Sequence, residues 1–179
     1  MKTYIYKKIF PFILSIALIA CSNTTLHSFD SEKFSIDFDE TWYTVTDYSD
    51  IPELSNKNIL FVIFKRIEGK LISFNIVQET LETDIENEGF TNKNIQNAES
   101  LNNYELIDTS KITVSDYKST LHNYYASNSK REKVEYLQTF LYSGKDSYVL
   151  TGASVNELDA ETITEIQSIM RSFTLKDVK

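Results

Sequence analysis

Cysteine, histidine, proline and glycine are all scarce in this chain of 179 residues, which contains one, two, two and four of them respectively. A single cysteine has no partner for a disulfide within the chain, so the fold must be held together by packing. Four scattered glycines leave no glycine-rich loop that could cradle a phosphate, and the nucleophile motif Gly-x-Ser-x-Gly is absent. The sequence therefore offers no motif for nucleotide binding or for nucleophilic catalysis.

Metal-binding side chains are also sparse. A metal site needs several His, Cys or carboxylate groups that converge. Neither His27 nor His122 has such a group beside it in sequence. We interpret both as surface or hydrogen-bonded histidines, and we expect no cofactor.

One acidic stretch resembles the first half of an EF-hand loop. Asp84, Glu86 and Glu88 occupy alternate positions before Gly89, as a calcium loop requires. The twelfth position is Ile95, however, where that loop needs a bidentate Glu. We expect a solvated acidic segment, with Asp84, Glu86 and Glu88 as weak candidates for cation binding.

The first twenty residues combine a basic start with an apolar run. Lys2, Lys7 and Lys8 are followed by Ile9–Ala20, which is almost wholly apolar. This is the layout of a secretory signal peptide, whose apolar region spans about 7–15 residues. A transmembrane helix needs about 20 apolar residues, so the run is too short to span a bilayer comfortably. We predict a signal peptide at residues 1–20.

The residues before the cysteine resemble a known processing motif. Leu18–Cys21 (LIAC) resembles the lipobox of bacterial lipoproteins, in which the peptide is cut before the cysteine and the thiol carries diacylglycerol. The resemblance implies cleavage between Ala20 and Cys21 and attachment to a membrane through a lipid on Cys21, facing the periplasm or the exterior. The non-acidic Ser22 suits the outer membrane, if the cell has one. The alternatives are an ordinary secretory signal or an N-terminal anchor with a chance cysteine.

Acidic residues outnumber basic ones by 26 to 18, which gives a net charge of −8. Removal of residues 1–20 takes away three lysines and no acid, so the charge of the remaining chain is −11. Such a surface repels nucleic acid and anionic lipid headgroups. We therefore expect no nucleic-acid partner, and membrane attachment has to come from the lipid.

The remaining chain suits one domain with a substantial core. Residues 21–32 are polar and lack periodicity, so we interpret them as a tether. Residues 33–177 are predicted to form a single domain. Alternating apolar residues and turn signals divide it into strands. The predicted strands are Lys33–Phe38, Trp42–Tyr48, Asn58–Ile67, Leu71–Thr80, Tyr104–Val114, Tyr117–Ser127, Lys133–Ser143, Asp146–Val155 and Ser172–Lys176.

Two helices are predicted between these strands. The first covers about residues 91–102, with Thr91 as its cap and Gly89 as a break before it. The second covers Asp159–Arg171 and carries an apolar stripe on one face. Strands, a helix, more strands and a last helix predict an α+β fold, in which a central antiparallel sheet is flanked by helices.

Three stretches resemble the PsbP-like and DcrB-like proteins. FSIDFDETWYTV (Phe34–Val45) is similar to the opening strand and tryptophan of that family. LQTFLYSGKDSYVLTGAS (Leu137–Ser154) resembles a hairpin of that family, and ETITEIQSIMRSFTLK (Glu161–Lys176) resembles its terminal helix and strand. Where the family often has Asn-Gly before a strand, this chain has Val114–Asp116. Asp116 offers a similar turn.

The resemblance implies an α/β/α sandwich and a protein without enzymatic activity. Photosynthetic members of the family assist photosystem II, and other bacterial members are often exported lipoproteins. We expect a lipid-anchored binding or assembly module for an envelope protein. The alternatives are an envelope hydrolase with unidentified carboxylates, or a protein that weakly binds a cation or small ligand.

Overall fold

The computed structural model describes residues 25–44, 58–81, 86–143, 146–155 and 157–176. The strands are β1 Leu26–Asp30, β2 Phe34–Asp39, β3 Tyr43–Thr44, β4 Ile59–Ile67, β5 Lys70–Thr80, β6 Glu105–Val114, β7 Tyr117–Ser127, β8 Lys133–Ser143, β9 Asp146–Val155 and β10 Thr174–Leu175. The helices are α1 Asn87–Glu99, between β5 and β6, and α2 Ala160–Ser172, between β9 and β10.

The strands form two antiparallel sheets. The larger sheet has seven strands in the order β3-β4-β5-β9-β8-β7-β6, and the smaller has three in the order β1-β2-β10. Both chain termini of the described part therefore meet at β2, which pairs with β1 on one side and with β10 on the other.

The predicted α/β/α sandwich is wrong. Strands hold 58% of the described residues and helices only 19%, so the fold is mostly antiparallel β. The physical reason lies in what covers the large sheet. On one face α2 shares the layer with the small sheet, since residues of β2, α2 and the large sheet belong to one core cluster. On the other face α1 packs mainly against β8 and β7. The described helices are too few to form layers.

Alternation of apolar residues explains the main core. In β2 the side chains of Phe34, Ile36 and Phe38 are buried, as the sequence predicted, while their neighbours are partly exposed. A glycine then allows α2 to lie close to the sheet. An added Cβ at Gly152 in β9 would lie 2.6 Å from Cγ2 of Ile166. Because Ile166 is branched at Cβ and stiff, a larger side chain at Gly152 would push the helix away.

The second helix begins where its cap was predicted. Asp159 accepts a hydrogen bond from the backbone N–H of Thr162 at 2.7 Å, which satisfies one of the unpaired donors of the first turn. This bond lowers the pKa of the Asp159 carboxyl. The predicted apolar stripe also faces the core, with Ile166, Met170 and Phe173 fully buried.

The first helix begins earlier than predicted. It covers Asn87–Glu99, so Gly89 and Thr91 lie within it, and its N-cap residue makes no side-chain hydrogen bond. Packing rather than capping sets its position: Phe90 is fully buried against Phe140 and Val149. Burying a phenylalanine stabilises by about 1.5–3 kcal/mol, which exceeds the roughly 1 kcal/mol cost of a helical glycine.

A tight turn joins β6 to β7. Ser115 and Asp116 both have positive φ, at 48° and 64°, as in a two-residue type I′ hairpin. The expected turn at Asp116 is therefore present, although neither residue is glycine. The turn sets the register, so that Thr113 lies opposite Lys118. The register between β6 and β7 is irregular between Leu106 and Asp108.

Part of the predicted tether is a strand. Residues 21–32 were interpreted as irregular, but β1 pairs along its whole length with β2. Phe29 explains this, since its ring packs on Phe34 and Phe61 at centroid distances of 5.6 and 4.7 Å. One aromatic side chain in a polar segment carries too little periodicity to reveal a strand in the sequence.

Candidate functional site

The structure tests the predicted site residues only in part. Ala20 and Cys21, the predicted cleavage and lipidation site, lie outside the described residues, as does Asp84. Glu86 is the N-cap residue of α1 and Glu88 lies in its first turn. No group of three or more His, Cys, Asp or Glu side chains in the described part of the chain is arranged to hold a metal ion.

A cleft of about 680 Å³ lies between the first half of α1 and the β6–β7 hairpin. Its helix wall includes Glu88 and Asn92, and its strand wall includes Lys111 and Lys118. Two carboxylates are needed for glycoside hydrolysis. Glu88 is the one acidic residue among the described lining residues, so this cleft gives no support to the hydrolase alternative.

The strand wall is basic and rich in hydroxyl groups. Lys111 lies opposite Thr120 and Thr113 lies opposite Lys118, so these four side chains share one face of the hairpin. The ammonium group of Lys111 donates to Oγ1 of Thr120 at 3.2 Å. No motif in the sequence singles out these residues. The signal was available in the two-residue turn, which fixes which side chains face each other across the hairpin.

An aromatic cluster lies further along β7, on the same face. The ring of His122 stacks on Tyr104 and packs on Tyr124, and Tyr124 stacks on Tyr136 of β8. Tyr124 and Tyr136 are directly opposite each other across the two strands, and aromatic pairs of this kind stabilise sheets. Burial raises the pKa of Tyr124 far above its usual range, so its hydroxyl donates to Oε1 of Gln138 at 2.9 Å.

His122 is hydrogen-bonded, one of the two alternatives predicted for it, and it is also buried. It is only 2% exposed, with Nε2 at 3.2 Å from the hydroxyl of Tyr104 and Nδ1 at 3.3 Å from Oγ1 of Thr109. Desolvation lowers its pKa, and the charge of Glu99 on α1 partly opposes that effect. A neutral ring that donates from Nδ1 and accepts at Nε2 satisfies both contacts.

The lowered pKa of His122 makes stability depend on pH. As the pH falls below about 6.5, the unfolded chain binds a proton at this residue while the folded protein resists it, so the free energy of unfolding decreases. The effect is absent above that pH and saturates below the folded-state pKa. We expect His122→Gln to show a shallower loss of stability between pH 7 and pH 5 in urea denaturation.

A matched control for this prediction is the exposed His27 on β1. The variant His27→Gln should keep the slope of the wild-type protein. If His122→Gln also keeps that slope, His122 does not resist protonation in the folded protein.

A buried carboxylate fastens the segment before α2 to the sheet. Glu135 of β8 is 2% exposed. Its Oε1 accepts from Nδ2 of Asn123 at 3.0 Å, and its Oε2 accepts from the backbone N–H of Leu158 at 2.7 Å. Leu158 immediately precedes the cap residue of α2, so Glu135 links β7, β8 and the start of that helix.

Three exposed apolar residues belong to the segment that leads from the end of α1 into β6. Leu101, Leu106 and Ile107 are 43%, 52% and 42% exposed, and we call these three residues the Leu106 corner. β6 is an edge strand of the large sheet, and its residues from Glu105 to Lys111 are exposed. Exposed apolar residues can mark interaction surfaces, so this segment is a candidate.

Comparison with known proteins rests on structure, because no protein-family model and no curated protein matches the sequence. LpqN of Mycobacterium tuberculosis, involved in cell envelope biogenesis, matches with a TM-score of 0.54 over 86% of this chain and 91% of LpqN, at 14% identity. CyanoP, the PsbP protein of Synechocystis sp. PCC 6803, matches with a TM-score of 0.53 over 88% and 96%, at 11% identity. The chain has a PsbP-like fold.

A third solved structure matches over a smaller share of the chain. PA94 from Pseudomonas aeruginosa, a protein of unknown function, has a TM-score of 0.50 over 73% of this chain and 83% of its own, at 13% identity. Identities this low show the PsbP-like fold alone. Function has to be argued from the residues of this chain. Within the described ranges, no helix is both long and apolar enough to cross a bilayer.

Proposed function

We propose that the protein is an exported, lipid-anchored, non-catalytic module of the cell envelope, which binds or helps to assemble an envelope protein. Diacylglycerol on Cys21 holds it at a membrane, facing the periplasm or the exterior, and at the outer membrane if the cell has one. The partner contacts the Leu106 corner. The protein does not bind nucleic acid.

The observation that carries this proposal is the shared fold with LpqN, which extends over 86% of this chain and 91% of LpqN. LpqN takes part in cell envelope biogenesis. CyanoP, with the same fold, supports the proposal as a second member of a PsbP-like group. The lipobox-like residues Leu18–Cys21 agree with an envelope location independently of the fold.

The Leu106 corner is the surface best suited to a protein partner. Interface cores are apolar and depleted of charge, and the corner offers three large aliphatic side chains on an otherwise acidic protein. The irregular register of β6 at Leu106 and Asp108 disfavours simple addition of another strand at this edge. We therefore expect side-chain packing rather than strand pairing with the partner.

The test is recovery of the partner with an interface variant. The tagged full chain is expressed in its own cells and purified in mild detergent, and the stoichiometric partner is quantified by mass spectrometry. We expect Ile107→Asp to reduce recovery at least about tenfold, because a charge placed in an apolar contact costs several kcal/mol.

Leu71→Asp provides the control. Leu71 on β5 has the same 42% exposure as Ile107, and its replacement by aspartate introduces the same negative charge. It should recover the partner as well as the wild-type chain does. Equal loss in both variants, or no stoichiometric partner with the wild-type chain, would count against the proposal.

A further inference from the structure

We propose that the cleft between α1 and the β6–β7 hairpin binds the phosphoryl group of a polar ligand. The inference goes beyond the proposed function, because the cleft is at the other end of β6 from the Leu106 corner. Its strand wall is built by Lys111, Thr113, Lys118 and Thr120, and Asn92 of α1 faces them across the cleft.

The charge of the cleft differs from that of the protein. The whole chain carries a net charge of −8. The described lining residues include two lysines and one acid, Glu88, so the cleft has a local positive excess. Lys111 and Lys118 occupy diagonal positions across the hairpin, which places their Cβ atoms roughly 7 Å apart. Both lysine side chains therefore extend from the same face of the hairpin.

One ammonium group already has a hydrogen-bond partner. Lys111 donates to the hydroxyl of Thr120, a residue that is 8% exposed. An ammonium group has three donors, so this bond leaves two for a ligand. The buried hydroxyl thus orients Lys111 before a ligand arrives, which reduces the entropy lost on binding.

The side chains of the lining select among ligand classes. Ile112 is the one apolar residue among the described lining residues, and no aromatic ring lines the cleft there. Apolar ligands are held by apolar and aromatic walls, so this class is disfavoured. A phosphoryl group has more acceptor oxygens than a carboxylate, so it can accept from more of the lysine and hydroxyl donors of the strand wall.

The test follows backbone amide NMR signals of the full chain in neutral detergent micelles. Sodium phosphate should shift the signals of residues 111–120 in a saturable way, and sodium acetate at equal ionic strength should not. We expect Lys111→Gln to weaken phosphate binding at least about tenfold, because a charge-assisted hydrogen bond is lost. Lys130→Gln, which changes an exposed lysine in the β7–β8 turn, should leave binding unchanged.

A second titration distinguishes a lipid headgroup from a soluble ligand as the source of the phosphoryl group. In it, short-chain phosphatidic acid or phosphatidylcholine is added to the micelles. Shifts with phosphatidic acid but not with free phosphate assign the cleft to a lipid headgroup. Shifts with free phosphate assign it to a soluble ligand. Both results support the inference if they depend on Lys111.

Three results overturn the inference: no saturable shift with either source, equal shifts with acetate, or equal weakening in the Lys111→Gln and Lys130→Gln variants. These outcomes leave the proposed function untouched, because partner recovery is tested at the Leu106 corner. Loss of partner recovery in Ile107→Asp with intact phosphate binding would separate the two surfaces directly.

Discussion

Replacing Cys21 with serine is expected to abolish attachment of the lipid to the protein. The variant should incorporate no labelled fatty acid, and it should persist as the precursor that retains residues 1–20. Intact mass spectrometry of the wild-type chain should find a mature protein that begins at a diacylated Cys21. Fatty-acid labelling and mass spectrometry together measure the change.

The effect is large because the lipobox interpretation assigns the lipid to this one thiol. Acyl chains contribute about 0.8 kcal/mol for each buried CH₂, and stable anchoring needs more than one chain. A serine hydroxyl is a much weaker nucleophile than a thiolate, so it does not take the place of Cys21 in the modification. The charge of −11 carried by residues 21–179 gives no attraction to anionic headgroups.

Ser22→Ala is the matched control, because it changes the adjacent hydroxyl residue and leaves the thiol in place. It should be labelled and processed like the wild-type chain. Labelling that persists in Cys21→Ser, or a mature chain that starts at another residue, would show that the lipobox interpretation is wrong.

The second large effect is expected at Glu135. Changing it to alanine removes the acceptor for two buried donors, Nδ2 of Asn123 and the backbone N–H of Leu158. Each unsatisfied donor costs about 1–3 kcal/mol, so Glu135→Ala should lower the free energy of unfolding by about 2–6 kcal/mol. This is a large part of the roughly 5–15 kcal/mol that stabilises a typical domain.

Glu135→Gln keeps the test informative if the alanine variant fails to fold. A glutamine side chain has one acceptor oxygen, so it retains one of the two bonds and should cost about 1–3 kcal/mol. Urea denaturation measures both variants. Glu40→Ala changes an exposed glutamate and should stay within about 0.5 kcal/mol of the wild-type protein. A similarly small effect of Glu135→Ala would contradict the buried network.

The sequence predicted the strands of the second half of the fold closely. The bounds of β7, β8 and β9 agree with the predicted Tyr117–Ser127, Lys133–Ser143 and Asp146–Val155. These strands alternate regularly and are separated by short turns, so local pattern and tertiary structure agree. The cap at Asp159 was predictable for the same reason, because it depends on a contact only three residues away.

Features that depend on distant contacts could not be predicted. The start of α1 is set by Phe90 packing on β8 and β9, and β1 exists because of its pairing with β2 and the packing of Phe29. The predicted α/β/α arrangement was wrong for the same reason. The small sheet, which covers part of one face of the large sheet in place of a helix, joins β1 and β2 to β10 from the other end of the described chain. Local periodicity carries no information on such pairings.

The candidate cleft also combines features that local sequence predicts with features that depend on distant contacts. Lys111 and Lys118 were in correctly predicted strands, but the sequence did not indicate that the two lysines share one face. That arrangement follows from the turn at Ser115 and Asp116. The helix wall of the cleft was harder still, because α1 was expected to begin at residue 91. The buried Glu135 network joins three elements and has no local signature.

The pairing of β1 with β2 also limits how far the domain can travel from an anchor. Four residues separate Cys21 from Leu26, where β1 begins. Even fully extended, the five steps between these two residues span about 18 Å. The predicted tether of twelve residues would have allowed more than twice that reach. The domain of a chain lipidated at Cys21 therefore stays close to the bilayer surface, and its binding partners have to approach that surface to reach it.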